Sequence, residues 1–122
     1  VGGDDDSPSR ERPVLGLERH PGGVVVVRLG GDLDLYNVDQ VRNALADAAG
    51  DAPSRVVVDL AQVTFLDSTA LGVLVEARSA LPPGALHLAA PQLEALRALK
   101  VSGLDRHLPV HESVAEALAA KP

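Results

Sequence analysis

The apolar positions of the chain switch repeatedly between two periods. Val24–Leu29 reads VVVVRL and is β-branched and apolar almost throughout, the pattern of a strand buried on both faces. Val14–Glu18 predicts a strand before it. The intervening His20-Pro21-Gly22-Gly23 is a turn in which glycine supplies positive φ, so the two strands should form an antiparallel hairpin. Arg55–Leu60 contains VVVDL, a second buried strand; Ala85–Ala90 predicts a third core strand, and Leu108–His111 a short final one. Between these runs the apolar spacing lengthens to three and four residues. Val38, Val41, Leu45 and Ala48 mark one face of a helix that Gly50 stops. Ala70, Val73, Leu74, Ala77 and Leu81 mark a second helix, ended by Pro82-Pro83-Gly84. A third helix begins at Pro91 with Leu93, Leu96 and Leu99 inward, and a last one covers Glu112–Ala120.

The connections are read from their capping residues. Residues 30–37, GGDLDLYN, predict a loop, with Asn37 as N-cap and Gln40 in the capping-box position. Val63–Leu66 predicts a short apolar loop leading to a helix capped at Asp67–Ser68. The order β-β-α-β-α-β-α-β-α requires a mixed, mostly parallel sheet with right-handed crossovers: an α/β fold opened by an antiparallel hairpin, with helices packed on the sheet. One domain over residues 14–120 is expected. Residues 1–13 are acidic, Gly/Pro/Ser-containing and almost free of apolar side chains, which predicts a disordered tail.

Composition narrows the chemistry. The chain has 122 residues, 46% of them apolar, yet Tyr36 and Phe65 are its only aromatic residues, so Val, Leu and Ala must do nearly all the packing. Cysteine is absent, which excludes disulfides and thiolate chemistry. The formal charge of −6 and the scattered Arg and Lys argue against nucleic acid as a direct partner. No apolar run approaches the ~18 residues of a membrane span, and the first residues lack the basic-then-apolar order of a signal peptide. A soluble cytoplasmic protein without a membrane partner is expected.

The informative segment is Asp59–Glu76, DLAQVTFLDSTALGVLVE. A buried strand runs through a short loop that delivers Asp67-Ser68-Thr69 to a helix start. Helix starts carry unpaired N–H groups and partial positive charge, so a phosphate on Ser68 would meet donors there without melting the fold. Ser68 as a plain N-cap is the competing reading; Asp67 could equally be the cap, freeing the Ser68 hydroxyl, and Thr69 is the competing acceptor. Other candidates are weaker. His20, His87, His107 and His111 are scattered without metal-ligand spacing, and read as solvated or incidental. No G-x-S-x-G elbow surrounds Ser68, and Gly30-Gly31 is not followed by Gly-Lys-[Ser/Thr]. Asp32 and Asp34, two residues apart in a loop, fit surface recognition better than paired acid–base chemistry. The sequence points to no enzyme, no cofactor and no metal.

The stretch DLAQVTFLDSTALGVLVEA resembles the signature of the STAS family, in particular its stand-alone anti-sigma-factor antagonists, whose pattern is a D-[ILF] strand end, an apolar loop and D-S-[ST]-G-[LI]-G-[VL]. Arg28–Val41, RLGGDLDLYNVDQV, is similar to the family's strand-loop-helix, and Leu96–Ala119 to its C-terminal end, so the resemblance spans roughly residues 14–120. It implies a switch. The unphosphorylated module binds an anti-sigma factor, often itself a serine kinase, and so frees a sigma factor for transcription. Phosphorylation of the Ser in D-S-[ST], here Ser68, releases it, and a serine phosphatase restores it. The resemblance places Asp67, Thr69 and Gly72 beside Ser68 on the partner-binding face, with Asp32, Asp34 and Asn37 on the neighbouring loop. Ala70 departs from the family's usual Gly, and Asn37 stands where Thr or Ser is common. A scaffold module of the same fold without phosphorylation is the alternative reading.

Overall fold

A computed structural model describes residues 12–121. Five strands form one sheet in the order β1-β2-β3-β4-β5: β1 Val14–His20, β2 Val24–Leu33, β3 Arg55–Leu66, β4 Leu86–Ala89 and β5 Val110–His111. β1 and β2 pair antiparallel, and every later neighbour is parallel. Helices α1 Val38–Gly50, α2 Ser68–Ser79, α3 Leu93–Ser102 and α4 Val114–Ala119 alternate with the strands, and a 3₁₀ turn occupies Leu104–Arg106. The α/β fold with a leading antiparallel hairpin is thus the one the hydrophobic pattern predicts. Of the disordered tail expected over residues 1–13, residues 1–11 lie outside the described residues. Pro13, which the tail was expected to include, is buried and its carbonyl accepts from the Gly30 N–H at 2.9 Å, so this residue belongs to the folded domain.

Alternation along the central strands divides the core between two faces. Val25, Val27 and Leu29 of β2, Val56, Val58 and Leu60 of β3, and Leu86 and Leu88 of β4 pack with α1, α2 and α3 in the main cluster. Val26, Val57 and Ala89 point the other way, against Ala117 of α4 with Val24, Val114 and Leu118 around them. The second layer is thin, but Val57 within it is fully buried.

Several boundaries differ from the sequence reading, for identifiable reasons. Gly30-Gly31 does not end β2. The β2–β3 register shifts on either side of Gly30 and Gly31, and Gly31 takes φ 76°, so the pair acts as a bulge and both strands run on to Leu33 and Leu66. Residues 30–33 and 63–66 are therefore strand rather than loop. A Cβ at Gly30 would lie 2.8 Å from Leu15 Cδ1, so a larger residue there would push the Leu15 side chain aside. Asn37 occupies the N-cap position of α1 but makes no capping hydrogen bond with its side chain, so the capping box with Gln40 does not form. The α3 face is turned from the expected one: Ala95 and Leu99 are buried, whereas Leu93 is 67% exposed. The last strand and helix are shorter than predicted, with Ser113 capping α4 through the Glu116 N–H.

Candidate functional site

The extension of β2 and β3 carries two segments to the same end of the sheet: residues 34–37 after β2, and Asp67 with the start of α2 after β3. Asp67 joins them. As N-cap of α2 its Oδ1 accepts from the Ala70 N–H at 2.9 Å, and its Oδ2 accepts from the Leu35 N–H at 3.1 Å. Its own N–H donates to Leu33 O at 3.1 Å. Of the two caps the sequence allowed, Asp67 is the one used. Ser68, the first residue of α2, is exposed, and its hydroxyl is not spent on the cap.

The 34–37 turn is held from inside. Asn37 is 7% exposed; its Oδ1 accepts from the Asp34 N–H at 2.9 Å and its Nδ2 donates to Asp32 O at 2.8 Å. The amide shapes the turn from beneath, where the sequence reading set it on the partner-facing surface. Asp34 Oδ1 accepts from the Tyr36 N–H at 2.9 Å, and the Asp34 carbonyl accepts from the N–H groups of Asn37 and Val38. Asp32 is exposed and accepts from Thr64 Oγ1 at 2.6 Å. The two carboxylates thus serve different donors and form no acid–base pair. Thr69 is half-buried.

Gly72 lies one helical turn beyond Ser68, exposed, with nothing within 4 Å of where a Cβ would be. Glycine inside a helix costs roughly 0.5–1 kcal/mol relative to alanine. No packing constraint of the fold requires it at this position. Val75, on the same side of α2, is 46% exposed.

The sequence reading passed over three residues of this end. Leu35 is 65%, Tyr36 92% and Phe65 48% exposed. Their signal was in the composition: the apolar core holds no Phe, Tyr or Trp, and both aromatic residues fall in the two segments that Asp67 joins. The structure also brings together two histidines that the sequence left scattered. His87 and His111 stack at 5.1 Å with an interplanar angle of 5°, and His87 Nδ1 lies 2.9 Å from His111 Nε2. Among the described residues no group of three or more His, Cys, Asp or Glu is placed to hold a metal ion. No helix among them is long and apolar enough to cross a membrane.

The STAS domain model matches residues 18–117, the span that carries the D-S-T triplet at the start of α2 and the clamped β2–α1 turn. The chain belongs to the STAS domain family. Over 102 residues this STAS domain is 29% identical to an anti-sigma F factor antagonist of Paenibacillus polymyxa, a match covering 81% of this chain and 87% of the relative. It matches other curated relatives over about half their length: with the anti-sigma-F factor antagonist RsfB of Mycobacterium tuberculosis, identity is 36% over 52 residues, 43% of each chain. Among solved structures, an anti-sigma factor antagonist from Mycobacterium paratuberculosis superposes with a TM-score of 0.79 at 28% identity, covering 84% of this chain and 88% of that one. The Bacillus protein SpoIIAA superposes at 25% identity in its unphosphorylated form, with a TM-score of 0.71 over 84% of this chain and 91% of that one. Its phosphorylated form gives 0.64 over 84% and 95%.

Proposed function

We propose that this STAS domain is an anti-sigma-factor antagonist: unphosphorylated, it binds an anti-sigma factor that is also a serine kinase, and phosphorylation of Ser68 releases it. The observation that carries the reading is the division of labour between neighbours. Asp67 takes the cap and the clamp, which leaves the Ser68 hydroxyl exposed at a helix N-terminus. A phosphate there meets backbone donors and the positive end of α2, so the fold tolerates it. A partner fitted to a neutral hydroxyl does not.

The names of the relatives support the antagonist role, and the phosphorylated state of SpoIIAA supports the covalent switch. Asp32, Asp34, Asp67, Ser68, Thr69 and Gly72 make up the proposed partner face, with Asn37 supporting it from below. The exposed, contact-free Gly72 fits a surface where a partner approaches α2 closely. The proposed partners are the anti-sigma kinase and a serine phosphatase, in the cytoplasm. A phosphate adds about −1.5 to −2 charges to a face that already holds Asp32, Asp34 and Asp67. Desolvating or repelling that dianion at an interface costs several kcal/mol; ~3–4 kcal/mol weakens binding by a few hundredfold.

The test pairs binding with labelling. Purified anti-sigma factors from the same genome are titrated with wild-type, Ser68→Ala and Ser68→Asp chains, and each is incubated with ATP and Mg²⁺. Ser68→Ala should bind and take no phosphate, and Ser68→Asp should bind poorly. Labelling of Thr69 with Ser68 untouched would move the site by one residue. Equal binding by all three chains, with no labelling, would replace the switch by a scaffold role.

A further inference from the structure

Both aromatic residues of the chain and a neighbouring leucine are exposed on the two segments that meet at Asp67, although the interior holds no Phe, Tyr or Trp. An aliphatic core could have absorbed Phe65, whose neighbours Val63 and Leu66 are buried, yet Phe65 remains 48% exposed. Tyr36 is 92% and Leu35 65% exposed. Leaving such side chains in contact with water is unfavourable, and the folded domain recovers nothing from it.

The patch is rigid as well as exposed. The N–H of Tyr36 is held by Asp34 Oδ1, the N–H of Leu35 by Asp67 Oδ2, and the turn between them by the buried amide of Asn37. Register pairs Asp32 with Phe65, which ties the third member to the same end of the sheet. The backbone that carries these side chains is set in advance, so a partner has mainly their rotamers left to order. Their surroundings are anionic: Asp32, Asp34 and Asp67 lie among them, and Arg42 near the start of α1 is already engaged by Asp39 and by Glu76 of α2.

We infer that Leu35, Tyr36 and Phe65 are the apolar anchor of the partner face, inserted into an apolar pocket with a basic rim on the anti-sigma factor, and that Tyr36 is its dominant contact. This rests on the reading of the Ser68 face as the partner-binding face, and it adds what holds the partner there. Tyrosine suits the role because it presents a large area on few rotatable bonds and is enriched at the centres of interfaces. The arrangement also couples anchor to switch. Asp67 bonds to both the Leu35 N–H and the first turn of α2, so the turn that carries Tyr36 is tied to the helix start that carries Ser68.

The experiment titrates labelled wild-type, Tyr36→Ala, Tyr36→Phe, Val101→Ala and Ser68→Asp chains with the purified anti-sigma factors of the same genome, and records the melting temperature of each chain. Tyr36→Ala is expected to weaken binding about thirtyfold or more. Its melting temperature should not move, because the ring packs on almost nothing. Tyr36→Phe keeps the ring and should bind within about threefold of wild type. Val101→Ala, at an exposed α3 position, should bind as wild type. Tyr36→Ala binding like wild type while Ser68→Asp binds poorly would overturn the anchor and leave the switch standing. An equal loss from Tyr36→Phe or from Val101→Ala would also overturn it. A wild-type chain that binds none of these anti-sigma factors would remove the reading of the face, and the anchor with it.

Discussion

Replacing Asp67 by alanine removes two acceptors in one step, and the structure fixes what each contributes. Oδ1 receives the Ala70 N–H at 2.9 Å, an N-cap bond whose loss costs ~1 kcal/mol, within a range of about 0.5–2. Oδ2 receives the Leu35 N–H at 3.1 Å, the side-chain link from the 34–37 turn to α2. An exposed bond of that kind, to a charged acceptor, contributes about 1 kcal/mol net. The sum is ~2 kcal/mol. For a domain of this size each kcal/mol lowers the melting temperature by about 4 °C, so Asp67→Ala should melt ~8 °C below wild type. Asp67→Asn separates the two bonds. Its single carbonyl oxygen can serve the cap, while its NH₂ faces the Leu35 N–H, and the expected drop is roughly half as large. Thermal unfolding followed by circular dichroism reads both. An Asp67→Ala chain melting within about 2 °C of wild type would refute the clamp. Equal drops for Asn and Ala would show that the cap contributes nothing.

Val57 is fully buried between the sheet and α4, so Val57→Asp places a carboxylate among Val26, Ala89 and Ala117. The penalty of several kcal/mol approaches the whole stability of a domain this size, and the variant should show no cooperative unfolding transition. A soluble, cooperatively melting Val57→Asp chain would show that this strand is not central. His87 predicts an acid-sensitive stability. Burial lowers its pKa from 6.5, the Arg55 charge lowers it further, His111 adds to this, and its bond to the Gly84 carbonyl opposes the shift in part. The unfolded chain therefore takes up a proton near pH 6.5 that the folded chain resists. The contribution is fully present above that pH and is lost as pH falls through the lower folded value. Urea unfolding from about pH 7.5 to 5 should show His87→Phe losing less stability than wild type; parallel curves would contradict it.

The sequence by itself determined the layers of this protein. VVVVRL and VVVDL read as strands buried on both faces, and the 3–4 spacing of Val38, Val41, Leu45 and Ala48 as one side of a helix, because burial of an apolar side chain outweighs most local preferences. It also located Ser68 at a helix start, since Asp-Ser-Thr before an apolar periodic run has few other uses. Tertiary structure decided what local chemistry leaves degenerate. Gly30-Gly31 reads as the start of a loop in sequence and becomes a bulge only because β3 is there to pair past it. Asn37 suits a cap in isolation, but buried beneath the turn it gains more from bonding Asp34 and Asp32. Asp67 and Ser68 were equal candidates for the cap until Leu35 came within reach of one carboxylate oxygen. His87 and His111 met for the same reason: neighbouring strands bring together residues that no spacing along the chain connects. The exposure of Leu35, Tyr36 and Phe65 was hidden in the same way, because which side of a loop faces water depends on what the rest of the chain has already covered.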